Sequence, residues 1–203
     1  FANLPGYDYR PNYLEVPDDR YGPLRMHYLD EGDSDAPIIL LTPTQGSWVY
    51  IYREMIPLLT DAGFRVVAPD YIGFGRSDKL QNEEDYSFNR HIDWLKSFMD
   101  QLEIRDATGF LLDWGGFFGL RLAVEKPHYF SRLVLLNTQL PTGDPSSGHA
   151  WFRDWREKML SMPRFPQGNM VNDGVIKKLA PETIAAYDAP YPDPSYLTGP
   201  RRF

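Results

Sequence analysis

The chain predicts an α/β fold, a mostly parallel sheet with flanking helices, on three observations. Short apolar runs alternate with stretches of helical spacing, Gly and Pro bound those runs, and no repeat or long apolar tract competes with them. Apolar runs without polar alternation mark strands covered on both faces, as in a parallel sheet.

Leu24 to Leu29 alternates apolar and polar residues and predicts a strand with one wet face. Pro37 to Leu41, Arg65 to Ala68, Ala107 to Leu112 and Leu133 to Leu136 are continuous apolar runs and predict buried strands. Helices are expected between them over Tyr50 to Ala62, Phe88 to Leu102 and Gly116 to Glu125. The loop Asp70 to Asp78 carries two glycines for tight turning, without the spacing of a dinucleotide fingerprint. From Pro141 the character changes. A loop at Pro141–Gly148 leads into short helical pieces, Ala150 to Ser161, Val171 to Leu179 and Glu182 to Tyr187. The expected division is a core over 1–140 and an incomplete helical cap over 141–203.

At 203 residues the chain can bury a proper core, and it has no apolar run long enough to span a membrane. The net charge of −7 argues against nucleic acid as a partner. Having no Cys, it holds neither a disulfide framework nor a thiolate metal site, which fits a reducing, cytoplasmic setting. The N-terminus lacks the basic and apolar regions of a signal peptide, and it begins without Met. Some residues are therefore expected to precede it. No metal or cofactor is expected.

The segment Phe110-Leu111-Leu112-Asp113-Trp114-Gly115-Gly116 carries the chemistry. A buried strand ends at Leu112, and two glycines let a helix pack closely behind the turn. The segment resembles the nucleophile elbow of the α/β-hydrolases, with Asp in place of the usual Ser. A carboxylate can displace a leaving group from an alkyl carbon and form an ester, so Asp113 points to C–halogen or epoxide opening. An Asp that merely caps the helix is the plainer alternative.

With these residues in view, the chain resembles the haloalkane dehalogenases, a branch of the α/β-hydrolases. The likeness is carried by His27-Tyr28-Leu29-Asp30-Glu31-Gly32, Trp48 with Tyr50 to Arg53, and Ala68-Pro69-Asp70. It continues through Gly73-Phe74-Gly75-Arg76-Ser77-Asp78, the elbow, and Ala186 to Asp193. The resemblance implies an α/β-hydrolase fold and hydrolysis of a small halogenated alkane to alcohol and halide, without cofactor. It makes Asp113 the nucleophile, with Trp114 and Trp155 as indole donors to the departing halide. Indole N–H suits that task because the halide cannot carry its proton away. Trp155 could equally be a cap residue packed on the core. Phe117 and Phe152 are candidate walls of the alkyl pocket, or ordinary core residues. Gln45 and Trp114 are expected to form the oxyanion hole. A monomer is expected.

Two departures from the family pattern lie close to this chemistry. Where His-Gly-x-Pro is usual, Pro43-Thr44-Gln45-Gly46 stands, and Leu112 replaces a common Gln. Thr44 resists backbone angles that Gly permits, which puts the loop's shape in question. The base is the larger gap. The mechanism needs a late His, and His27, His91, His128 and His149 all lie on early or unsuitable segments. An acid after Leu136 is absent too, since Asn137-Thr138 follow; Asn137 could help hold the halide or simply end the strand. The acid and the His are expected beyond Phe203, in a longer enzyme. Two other readings compete: an epoxide hydrolase drawing protons from Tyr187, Tyr191 or Tyr196, and a non-catalytic remnant of the fold.

Overall fold

The structure, a computed structural model, describes residues 1, 3–140, 150–162 and 166–202, except for the side chains of 150, 151 and 155. The loop expected at Pro141–Gly148, and His149, lie outside the described residues. Among the described residues six strands form one sheet: β1 Asn12–Val16, β2 Leu24–Glu31, β3 Ile38–Thr42, β4 Arg65–Pro69, β5 Ala107–Leu112 and β6 Phe130–Leu136. Their order is β1-β2-β4-β3-β5-β6. The pairings of β3 with β4, β3 with β5 and β5 with β6 are parallel, while β1–β2 and β2–β4 are antiparallel.

The apolar runs behave as expected in β3, β4 and β5. Three features differ, one of them β6, which starts at Phe130 and whose Leu133–Leu136, expected to be buried, are exposed. The strand β1 was not anticipated; its alternating exposure leaves little apolar signal in five residues. In β2 the expected wet face is interrupted at His27, which is fully buried and pairs with Asp70 at 2.8 Å.

The helices of the core are α1 Met55–Asp61, α2 Phe88–Gln101 and α3 Trp114–Glu125. The single helix expected over Tyr50–Ala62 is instead a 3₁₀ turn at Val49–Tyr52 followed by α1. Pro57 explains the break: it has no N–H and its ring would strike the carbonyl four residues back, so it is tolerated only in a first turn. Helix α2 starts at Ser87, whose side chain accepts from Arg90 N–H.

After β6 come α4 Ala150–Ser161, α5 Gln167–Gly174, α6 Pro181–Asp188 and α7 Thr198–Arg202. Helix α5 lies earlier than the expected Val171–Leu179. Its last residue is Gly174, and beyond it the Asn172 side chain accepts from Leu179 N–H at 2.8 Å, a local bond that replaces helical ones. One apolar cluster joins α2, α3 and the sheet around Trp94, Phe98 and Phe118. A second joins Trp48, Tyr50 and Ile56 to Ala186 and Tyr187 of α6. No described helix is long and apolar enough to cross a membrane.

Candidate active site

Strand β5 delivers the site. Asp113 follows it directly and takes φ 52, ψ −119, a backbone region that L-residues rarely enter. The turn is clamped on all sides. Asp113 N–H donates to Leu136 O at 3.1 Å, Gly116 N–H donates to Asp113 O at 2.9 Å, and the Thr138 hydroxyl donates to the same carbonyl at 2.8 Å. The glycines behind the elbow are required by contact. A Cβ on Gly115 would stand 2.6 Å from Thr42 Cβ, and one on Gly116 would stand 2.5 Å from Thr138 Cβ.

The loop after β3 meets the carboxylate because β3 and β5 pair in parallel, with Thr42 opposite Leu111. Both chains therefore emerge at the same sheet end. Gln45 N–H donates to Asp113 Oδ2 at 3.1 Å, and the Thr44 hydroxyl donates to the same oxygen at 2.7 Å. Among the described residues Oδ1 accepts no hydrogen bond. The Gln45 side chain does not face the carboxylate; its amide donates to Pro200 O at 2.9 Å, tying the loop to α7. The left-handed residue of this loop is Gly46 at φ 73, so Thr44 needs no unusual backbone angle and the loop keeps its shape without Gly at 44. Gln167 packs against Gly46 where a side chain would otherwise sit.

A narrow crevice beside the elbow is lined by Gln45, Tyr71, Phe74, Trp114 and Phe118. Burial pushes the Tyr71 hydroxyl well above the usual phenol range, and the charge of Asp113 adds to that. The crevice takes Phe118, whereas Phe117 packs against the Trp114 ring with centroids 4.9 Å apart. Phe152 is half-buried on α4. Trp155 lies on the same helix, and its side chain is outside the described residues. Asn137 ends β6 at φ 43, exposed, a conformation that Asn tolerates.

Two of the described histidines, His27 and His91, are occupied elsewhere. His27 and Asp70 form a His–Asp pair, but both are fully buried, and Asp70 also accepts from Val49 N–H and Arg76 N–H. That pair ties loops together and admits no substrate. His91 lies between Ser87 O and Ile72 O and stacks on Phe118; burial lowers its pKa to about 4. His128 is exposed after α3. The tyrosines weighed as proton donors are spread out. The Tyr187 hydroxyl accepts from Arg53, Tyr191 is buried near Lys79, and Tyr196 is exposed. No group of three or more metal-ligating side chains is found among the described residues.

Sequence reasoning singled out Asp113, Gln45 and Trp114, which the fold gathers at one sheet end. Thr44 and Thr138 escaped it as partners of Asp113. Their only signal is position, in the residues that follow the strands flanking β5.

The α/β-hydrolase fold family matches residues 37–180 of the chain. A haloalkane dehalogenase of Psychrobacter cryohalolentis is 49% identical over the whole chain, which covers 67% of that relative. One from Mycolicibacterium paratuberculosis is 46% identical with the same coverage. Among solved structures, the tetrameric haloalkane dehalogenase DpaA of Paraglaciecola agarilytica superposes with a TM-score of 0.92 at 35% identity. That match takes in all of this chain and 67% of the other.

Proposed function

This chain belongs to the haloalkane dehalogenases, hydrolases of the α/β-hydrolase fold that act on carbon–halide bonds, and from that premise we propose how its residues share the work. Asp113 Oδ1 attacks the halogen-bearing carbon from behind. The C–halogen bond breaks, its electron pair leaves with the halide, and an alkyl ester forms on Asp113. Water then cleaves the ester, giving alcohol and a proton and restoring the carboxylate.

The observation that carries this reading is the asymmetry of the carboxylate. One oxygen is held by the neighbouring loop at Gln45, and the other is left with its lone pairs for attack. Trp114 beside the crevice, with Trp155 on α4, is proposed to receive the developing halide charge. Such donors contribute on the order of a few kcal/mol each where water is scarce. Phe117 and Phe152 are proposed to bound the alkyl group, and residues 141–203 to act as a cap on the core at 1–140. The His that activates water is assigned to none of His27, His91, His128 and His149. A cytoplasmic enzyme with a small haloalkane as its only substrate partner completes the proposal, with the absence of Cys in support.

The test is intact-mass spectrometry after incubation with 1,2-dibromoethane, alongside measurement of free bromide. The expected result is one bromoethyl adduct, mapped to Asp113 and absent from Asp113→Ala. Bromide released equally by Asp113→Ala would overturn the assignment, and the lack of any adduct or bromide would favour a non-catalytic remnant.

A further inference from the structure

We infer that the Thr44 hydroxyl is a side-chain member of the oxyanion hole, acting chiefly on breakdown of the alkyl-enzyme rather than on its formation. The inference rests on the assignment of Asp113 as nucleophile and adds a residue to that same site.

Thr44 occupies a position where the family resemblance leads one to expect Gly, so its hydroxyl is an addition to the loop relative to that pattern. It donates to Asp113 Oδ2 at 2.7 Å, closer than Gln45 N–H at 3.1 Å. Among the described residues the hydroxyl has one other acceptor within reach, its neighbour's carbonyl Gln45 O at 3.3 Å. The shorter contact to a charged oxygen is the stronger of the two. Two donors from consecutive residues thus converge on one carboxylate oxygen.

The charge on that oxygen changes in opposite senses in the two steps. In the free enzyme Oδ2 carries about half of the carboxylate charge. As Oδ1 bonds to carbon, Oδ2 becomes an ester carbonyl and loses most of that charge, so donors aimed at it oppose alkylation. When water adds to Asp113 Cγ, the carbonyl electron pair moves onto Oδ2, which then bears a full negative charge. Donors already in place stabilise that state. Collapse returns the pair to Cγ and breaks the Cγ–Oδ1 bond. The alcohol leaves with Oδ1 and one of the water's protons, and the other proton goes to solvent. Thr44 therefore gives up some speed in ester formation for speed in ester cleavage.

The experiment follows both steps with 1,2-dibromoethane in the wild type, Thr44→Val and Thr44→Ser. Bromide release in a single turnover reports alkylation. Loss of the adduct mass after substrate is removed, at a fixed alkaline pH, reports cleavage. Thr44→Val is expected to alkylate no more slowly than the wild type, while its adduct decays at least about tenfold more slowly; a lost oxyanion donor typically costs about 10²–10³-fold, and here Gln45 N–H remains on the same oxygen. Thr44→Ser is expected to restore wild-type decay. If Val slows both steps alike, if its adduct decays within about twofold of the wild type, or if Ser fails to rescue, the inference is overturned. A merely structural role would slow both steps. Should Thr44→Val fail to fold by circular dichroism, Thr44→Ala carries the same comparison. A wild type that neither forms the adduct nor releases bromide overturns the Asp113 assignment itself, an outcome distinct from an adduct whose decay ignores residue 44.

Discussion

Asp113 holds a backbone conformation that suits glycine, and the protein keeps it there for the side chain it presents. At φ 52 and ψ −119 a residue with a Cβ is strained, by on the order of 1–3 kcal/mol. Two variants that both lack the carboxylate separate strain from chemistry. Asp113→Gly is expected to unfold at higher urea than Asp113→Ala, by roughly 1–2 kcal/mol once the extra unfolded-state entropy of Gly is allowed for. Equal midpoints would show that the turn is not strained. Behind the elbow the constraint is steric. Gly115→Ala would drive a methyl into Thr42, so a loss of about 1–3 kcal/mol is expected in the same assay. The elbow was legible in sequence because strand, Asp and paired glycines are contiguous. Its partners were not, since Thr44 lies 69 residues and Thr138 25 residues away, and only the strand order brings them to Asp113.

Among the elements, those with strong periodicity were read correctly and those shaped by one polar or cyclic residue were not. Helix α2 matched its expected span within a residue, whereas Pro57 moved the start of α1 and Gly174 the end of α5. The buried side of α2 carries its own consequence. His91 stacks on Phe118 with rings 4° from parallel, and its pKa falls to about 4 because burial outweighs the carbonyls of Ser87 and Ile72, with Arg90 adding to the depression. Between the unfolded value near 6.5 and the folded value near 4, the unfolded chain binds a proton that the folded chain refuses. Stability from this group is therefore complete above about pH 6.5 and is lost as pH falls toward 4. The total is on the order of 3 kcal/mol. His91→Phe keeps a ring on Phe118 and cannot titrate. Its urea stability is expected to fall less than that of the wild type between pH 6.5 and 4, and identical slopes would remove His91 as the cause.

At the scale of the whole molecule, the order β4-β3-β5-β6 places the elbow strand between two parallel neighbours, each of which supplies a clamp on Asp113. The sheet class and its central strands were legible from apolar runs. The exposure of β6 was not, because a run such as Leu133-Val134-Leu135-Leu136 reads as buried whether or not anything covers it. In the structure those four residues are exposed, and among the described residues no strand pairs with the outer edge of β6. An open edge with apolar side chains on both faces is a template for another chain's backbone. The 203-residue chain, prepared by itself, is therefore expected to scatter light increasingly with concentration on mild heating. Leu133→Lys with Leu135→Lys puts two charges on one face of β6, since alternate residues share a face. Like charges on stacked edges repel, so the double variant is expected to stay clear at concentrations where the parent turns turbid. Its far-ultraviolet circular dichroism should remain that of the parent, because both positions are exposed in the fold. Unchanged turbidity with an intact spectrum would place the association elsewhere on the surface.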